Sequence, residues 1–275
     1  MKLVTVATDS QGYFPWLQES CKRHGIPLEV LGWGEKWKGF GWKFELMKEY
    51  LQTVPPTELV CFIDAYDVIL LKSPKDIEDT YRHLSRRYNK PIIVGTEKHK
   101  RILIWLFGLY IFGTCQNNKL LNSGTYIGPA KDLLEVMEYI QTHITDDPAS
   151  DDQQTLSKYC NLHPEKFHLD EDAELFLTVC DIIPVQYTNP HLTIKNQTLT
   201  YKNRQPAFLH ANGNTHIEDI LEKLGYEITT KQRETIKQYQ YRAWVRKFPH
   251  YAKFFLPLVV ILLIILVFYT LSHKS

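Results

Sequence analysis

Leu59 to Ile63 is an unbroken apolar run that stops at Asp64-Ala65-Tyr66-Asp67, and it narrows the possible folds more than any other stretch. A short apolar run bounded by polar residues reads as a buried strand. Strand and helix alternate around it. Leu3 to Thr8 reads as a first strand ending in a turn at Asp9-Ser10-Gln11-Gly12; Phe14, Leu17 and Cys21 then recur at helical spacing. Leu28 to Leu31 is a short strand, followed by an aromatic-rich loop containing Gly32, Gly34, Gly39 and Gly41. Phe44, Met47 and Leu51 make one helix face, Ile77, Tyr81 and Leu84 another, and Pro91 to Gly95 is a further strand. Beyond Tyr126-Ile127-Gly128, Leu133, Met137 and Ile140 stripe a helix, and a second helix opens near Ser150. Residues 167–209 read as short strands and loops. The pattern predicts an α/β fold on a mostly parallel sheet with flanking helices. At 275 residues the chain can bury a full core.

The other strong signal is C-terminal. Phe254 to Leu271 carries no charge, and Pro257 falls in its first turn, where a proline is tolerated. As a helix the stretch is about 27 Å long, close to the roughly 30 Å of a bilayer's hydrocarbon core. A transmembrane helix is predicted over 254–271, with a buried terminal helix as the alternative. Arg242, Arg246, Lys247 and Lys253 precede it and Lys274 follows, so the positive-inside rule predicts a single-pass protein with a cytosolic N-terminal domain. The expected division is a domain over 1–225, a polar and basic helical stalk over 226–253, and the anchor. The N-terminus does not read as a signal peptide. Ile102 to Phe112 is apolar but short and broken by Gly108; a buried element, an interfacial patch and part of an acceptor pocket all fit it.

Composition excludes little but usefully. The 32 Lys and Arg nearly cancel the 31 Asp and Glu, which gives no reason to propose nucleic-acid binding. Cys21, Cys61, Cys115, Cys160 and Cys180 are scattered, with neither zinc spacing nor a disulfide framework. A reducing compartment is expected on that ground, a single disulfide remaining open. No G-x-x-x-x-G-K-[ST], G-x-S-x-G or H-E-x-x-H pattern is present.

Four segments could carry chemistry. Asp64 and Asp67 follow a strand's carboxyl end, where ligands collect in α/β sheets, and two carboxylates there can share Mg²⁺ or Mn²⁺. Asp is also common in plain turns. Asn122-Ser123-Gly124 lets a backbone approach a ligand while two side chains offer hydrogen bonds; an ordinary turn fits equally. Asp151-Asp152-Gln153 could face sugar hydroxyls or simply open a helix. His210-Ala211-Asn212-Gly213 offers an imidazole to complete a metal site and backbone N–H groups for a diphosphate.

Taken in order, with Val4-Thr5-Val6-Ala7-Thr8, Gly12-Tyr13, Leu31-Gly32-Trp33-Gly34-Glu35-Lys36-Trp37-Lys38-Gly39 and Lys43, these segments resemble the glycosyltransferase domain of the procollagen lysyl hydroxylases. The resemblance covers roughly residues 3–216 and reaches the wider collagen-type glycosyltransferases of the GT-A class. It implies a Rossmann-like GT-A mixed sheet, Mn²⁺ (or Mg²⁺) and a UDP-sugar donor. It implies Asp64, Asp67 and His210 as metal ligands, and Val6, Thr8 and Tyr66 at the uracil and ribose. Lys43 would lie near the diphosphate, Trp37, Ser123 and Gly124 would border the donor, and Asn212 and Gly213 would hold it. Asp151, Asp152 and Asn122 would act on the sugar and acceptor side. The family's H-G-N-G-P-T-K ending is here His210-Ala211-Asn212-Gly213-Asn214-Thr215-His216, with His in place of Lys. Residues 102–118 do not resemble the family's acceptor pocket, and no hydroxylase domain is expected within residues 217–275.

The expected activity is transfer of a hexose, glucose or galactose, from a UDP-sugar to a hydroxyl acceptor on a glycan or glycosylated protein. Two alternatives stand beside it: an inactive nucleotide-sugar-binding membrane protein, and a Mg²⁺-dependent phosphoryl-transfer enzyme.

Overall fold

The computed structural model describes residues 1–97, 113–143, 152–180, 189–213, 215–243 and 245. The alternation read from the first half is present as β1 (Lys2–Val6), α1 (Phe14–His24), β2 (Leu28–Leu31), α2 (Phe40–Thr53), β3 (Leu59–Ile63), β4 (Val68–Leu70), α3 (Pro74–Tyr88) and β5 (Ile92–Glu97). Then follow β6 (Leu120–Pro129), α4 (Ala130–His143), α5 (Asp152–Leu162), β7 (Phe167–Leu169), β8 (Phe176–Val179), β9 (Leu192–Lys195), β10 (Thr198–Tyr201), β11 (Phe208–Ala211) and α6 (Glu218–Lys223).

Local chemistry sets the helix ends. Ser73 caps α3, its hydroxyl accepting from the Asp76 N–H at 3.3 Å, and Pro74 takes the first turn, where its missing N–H costs nothing. Asn89 then ends the helix in the left-handed region at φ 52°.

Six strands form one sheet in the order β2-β1-β3-β6-β5-β7. β3 shows why its sequence is apolar without a break. Val60 and Phe62 pack with α2 and α4 residues such as Phe44, Met47 and Leu133 on one face. Cys61 and Ile63 pack with Phe14, Leu17 and Ile77 of α1 and α3 on the other. A strand covered on both faces has no polar side to show. The expectation of a mostly parallel sheet needs correcting. β6 runs antiparallel to both its neighbours, β3 and β5, while β1 with β2, β1 with β3 and β5 with β7 are parallel. The sheet is mixed, as the resemblance implied; hydrophobic periodicity, which reports burial, carries no information on strand direction.

A smaller sheet, β4-β11-β8, packs its own apolar cluster against Tyr13 and Trp16 of the first βα unit. β9 and β10 form a hairpin turned by Asn196 and Gln197, both at positive φ. A helix is present over 230–243, inside the predicted stalk. Its Ile236, Gln240 and Ala243 are buried, so it lies against the domain rather than standing off from it.

Cys115 and Cys160 form a disulfide across 45 residues, which spacing alone did not reveal. It removes the ground on which a reducing compartment was expected. Closing a loop of that length stabilises by about 4 kcal/mol in the chain-entropy limit. Among the described residues no helix is long and apolar enough to cross a membrane. The predicted anchor 254–271, the apolar stretch 102–112, Asp151 and Asn214 lie outside the described residues.

Candidate metal and donor site

Strand pairing brings His210 to the turn that carries Asp64 and Asp67. Asp64 sits just past the end of β3, and its N–H donates to the Gly124 carbonyl on β6 at 2.8 Å. Asp67 lies in the turn before β4; its carbonyl accepts from the Ala211 N–H on β11 at 2.7 Å. The antiparallel register of β11 on β4 sets His210 opposite Val68, next to that turn. One ligand atom from each of Asp64, Asp67 and His210 then lies within 4.8 Å of the others. Gly124 makes the convergence possible. A Cβ there would stand 2.3 Å from Asp64 Oδ2 and 2.8 Å from His210 Cε1.

The donor set suits a divalent cation. His210 is 1 % exposed and its Nε2 lies 3.4 Å from Asp67 Oδ1, yet neither ring nitrogen makes a hydrogen bond, nor does that oxygen. Buried polar atoms without partners are rare and costly. Two carboxylates and an imidazole are donors that Mn²⁺ accepts readily. Electrostatics agree: burial raises the Asp64 carboxyl above its usual range, Lys43 opposing and Asp67 adding to the effect. His210 is raised despite its burial, because Asp67 and Asp64 favour its cationic form.

Lys43, on α2, is buried and ties the cluster to the next group. Its Nζ lies 2.5 Å from Asp152 Oδ2 and 3.6 Å from Asp64 Oδ1. Ser123 Oγ also donates to Asp152 Oδ2, at 3.0 Å. Burial alone would raise the Asp152 carboxyl; the Lys43 ammonium overrides it and holds the group below the usual range. Asp152 therefore does more than open a helix, although it does occupy the first turn of α5.

Sequence reading missed Glu97. It ends β5, is buried, and accepts from Asn122 Nδ2 at 3.0 Å and Asn212 Nδ2 at 2.7 Å. One carboxylate thus orients two of the predicted site residues. The signal was faint: a charged residue closing an apolar strand, just after Gly95, where the β5–β6 register shifts. Such a bulge re-aims the side chains that follow it. Asn122 Oδ1 in turn accepts from the Gly124 N–H at 2.9 Å.

The remaining predicted residues occupy a neighbouring region. Tyr66 Oη accepts from the Thr8 N–H at 2.9 Å, and the Tyr66 carbonyl accepts from the Tyr13 N–H at 2.8 Å. Val6 packs its side chain into the core beside β3. Trp37 is 37 % exposed, with its ring edge-on to Trp42. Gly213 adopts φ 68°, left-handed backbone next to the Cys180 thiol, where glycine is favoured.

A mixed α/β sheet carrying an Asp-Asp-His cluster at strand ends is an arrangement that could hold a divalent cation. The chain belongs to the PLOD GT domain family, whose model matches residues 1–236. It is 25 % identical over 238 residues to the multifunctional procollagen lysine hydroxylase and glycosyltransferase of Caenorhabditis elegans, covering 77 % of this chain and 30 % of that one. It is 24 % identical over 237 residues to the human procollagen-lysine,2-oxoglutarate 5-dioxygenase 2, covering 78 % and 30 %. The chain thus spans under a third of the length of these relatives. A glycosyltransferase involved in glycosylation of the major capsid of PBCV-1 superposes with a TM-score of 0.46 at 13 % identity, over 82 % of this chain and 98 % of that one.

Proposed function

We propose that the chain is a metal-dependent glycosyltransferase of GT-A type that moves a hexose, glucose or galactose, from a UDP-sugar to a hydroxyl on a glycan or glycosylated protein. The observation that carries this reading is the meeting of Asp64, Asp67 and His210, with Asp67 Oδ1 and both His210 ring nitrogens buried and unpartnered, in a chain of the PLOD GT domain family. The three residues would hold Mn²⁺ or Mg²⁺, which neutralises charge on the diphosphate as the bond from sugar to oxygen breaks.

This chain's residues do the rest. Tyr66 offers a ring to the uracil, with Thr8 fixing its hydroxyl. Lys43 brings a cation to the edge of the cluster and is kept extended by Asp152 and Asp64. Trp37, Ser123 and Gly124 border the donor, and Glu97 holds Asn122 and Asn212 in fixed orientations, limiting the reorganisation needed during transfer. Asp152 meets the sugar hydroxyls from a site already charged.

Calorimetry on the full chain tests the reading. UDP is expected to bind with Mn²⁺ and to lose most of its affinity in chelator, and one UDP-hexose in a panel is expected to release UDP. Equal affinity without metal overturns the metal assignment, and no UDP binding overturns the donor assignment.

Membrane attachment through 254–271 and a cytosolic domain form a separate proposal, resting on the apolar stretch and the basic residues before it. The hairpin turn supplies its test. Asn196 and Thr198 of the sequon Asn196-Gln197-Thr198 are exposed, so a lumenal domain would present an open glycan acceptor. In cells Asn196 is expected to stay unmodified; a mass shift removed by an N-glycan amidase and absent in Asn196→Gln overturns the cytosolic placement.

A further inference from the structure

The helix over 230–243 starts with a reciprocal cap. Thr229 Oγ1 accepts from the Gln232 N–H at 3.3 Å, and Gln232 Oε1 accepts from the Thr229 N–H at 2.8 Å. This is the capping-box arrangement, which fixes where the helix begins. Ile236, Tyr239, Gln240 and Ala243 recur at the spacing of one helix face. Three of them are buried; the fourth, Tyr239, reaches the donor region. Its ring centroid lies 5.4 Å from that of Tyr66, tilted by 50°.

Gly12 leaves the space that Tyr239 fills. Its φ is +54°, and a Cβ there would stand 3.0 Å from Tyr239 Cε1 and 2.7 Å from the Tyr66 carbonyl. The next residue, Tyr13, donates its N–H to that same carbonyl and its buried hydroxyl to Glu218 Oε2 at 2.9 Å. Gln240 also hydrogen-bonds the Tyr13 side chain. Upstream, Trp16 Nε1 donates to the Glu227 carbonyl at 3.2 Å. The loop bearing Gly12 and Tyr13, the helix bearing Tyr239 and Gln240, and Tyr66 are therefore one packed unit. Yet the family match ends at residue 236, before Tyr239 and Gln240.

We propose that Tyr239 is a positioning residue of the donor site, bracing the Tyr66 ring at the angle it presents to the nucleobase, so that the helix over 230–243 is part of nucleotide binding. This rests on the reading that Tyr66 faces the base. A tyrosine held on one side by Thr8 and on the other by a second ring loses little freedom when a base stacks on it. An unbraced ring pays that ordering cost on binding.

The test compares UDP with inorganic diphosphate, both with Mn²⁺, by calorimetry on the full chain. Tyr66→Ala is expected to weaken UDP about tenfold and leave diphosphate unchanged, the size of a lost base–aromatic stack. Tyr239→Ala and Tyr239→Leu are expected to weaken UDP about threefold to tenfold, again sparing diphosphate, while Tyr239→Phe keeps wild-type affinity. The double variant Tyr66→Ala with Tyr239→Ala is expected to bind no more weakly than Tyr66→Ala alone, since the brace acts only through the ring it holds. Wild-type UDP affinity in both Tyr239→Ala and Tyr239→Leu, additive losses in the double variant, or an equal loss for diphosphate overturns the proposal while leaving the donor reading intact. Unchanged UDP binding in Tyr66→Ala overturns the donor reading itself.

Discussion

Asp64→Ala is expected to lower metal-dependent sugar transfer by about a thousandfold or more, equivalent to about 4 kcal/mol of transition-state stabilisation, with no loss of thermal stability. The two halves of this expectation have different origins. On the proposed reading transfer falls because Asp64 is one of three residues whose ligand atoms lie within 4.8 Å of one another, and Asp67 and His210 alone would leave a cation underligated. Stability holds because burial already disfavours the Asp64 carboxylate, so its removal relieves as much as it takes away. Lys43 keeps its closer partner, Asp152, at 2.5 Å. Initial rates across a Mn²⁺ titration, set beside a thermal melt, read both halves. Wild-type rates in a folded Asp64→Ala protein would sink the ligand assignment.

Lys43→Met is expected to do the reverse and strike the fold itself, by about 3–5 kcal/mol, the usual cost of leaving one member of a buried ion pair alone. Asp152 is only 7 % exposed and Lys43 is its nearest cation, with the Ser123 hydroxyl also donating to it. In the native protein Asp152 lies below the usual carboxylate range, so it contributes stability that is present above that range and lost as pH falls through the depressed value. Without Lys43, burial is opposed only by the hydrogen bonds from Ser123 and the Gln153 backbone, so the variant is expected to recover stability as pH falls and the carboxyl is neutralised. Denaturant midpoints of both proteins from pH 7 to pH 4 check the sign. Lys43→Met with Asp152→Asn is expected to regain most of the lost stability while transfer stays low. A single variant as stable as the native chain at pH 7 would show that the pair is not stabilising.

The sequence disclosed elements whose burial is one-sided or complete, and motifs whose residues are neighbours. The run from Leu59 to Ile63 announced β3, and the helix stripes announced α1 to α4. The Asp64–Asp67 turn was visible for the same reason. His210 was legible as a candidate imidazole and, through the resemblance, as a third ligand, but the register of β11 on β4 that delivers it is a long-range pairing. Glu97 was missed altogether. Its role depends on a bulge just before it in β5 and on two asparagines, from β6 and the loop after β11, that are distant from it in the chain. The reversed direction of β6 was invisible to the hydrophobic pattern, and the Cys115–Cys160 pairing to cysteine spacing, for the same cause. The 230–243 helix shows the complementary failure: its polar composition suggested a spacer, while only a narrow face, centred on Ile236 and Gln240, decides where it packs.

Gly124 has a consequence for how this site can be lost. Its backbone is ordinary strand, so another residue there meets no torsional penalty; the obstacle is the 2.3 Å approach to Asp64. A single added methyl group would oblige the Asp64 carboxylate and the His210 ring to move apart while all three residues of the proposed metal site stayed in the sequence. Inspecting the carboxylates and the histidine alone would miss that change. The residue at this position is therefore a fourth marker to read beside them, and anything larger than glycine there is expected to weaken the proposed cation site.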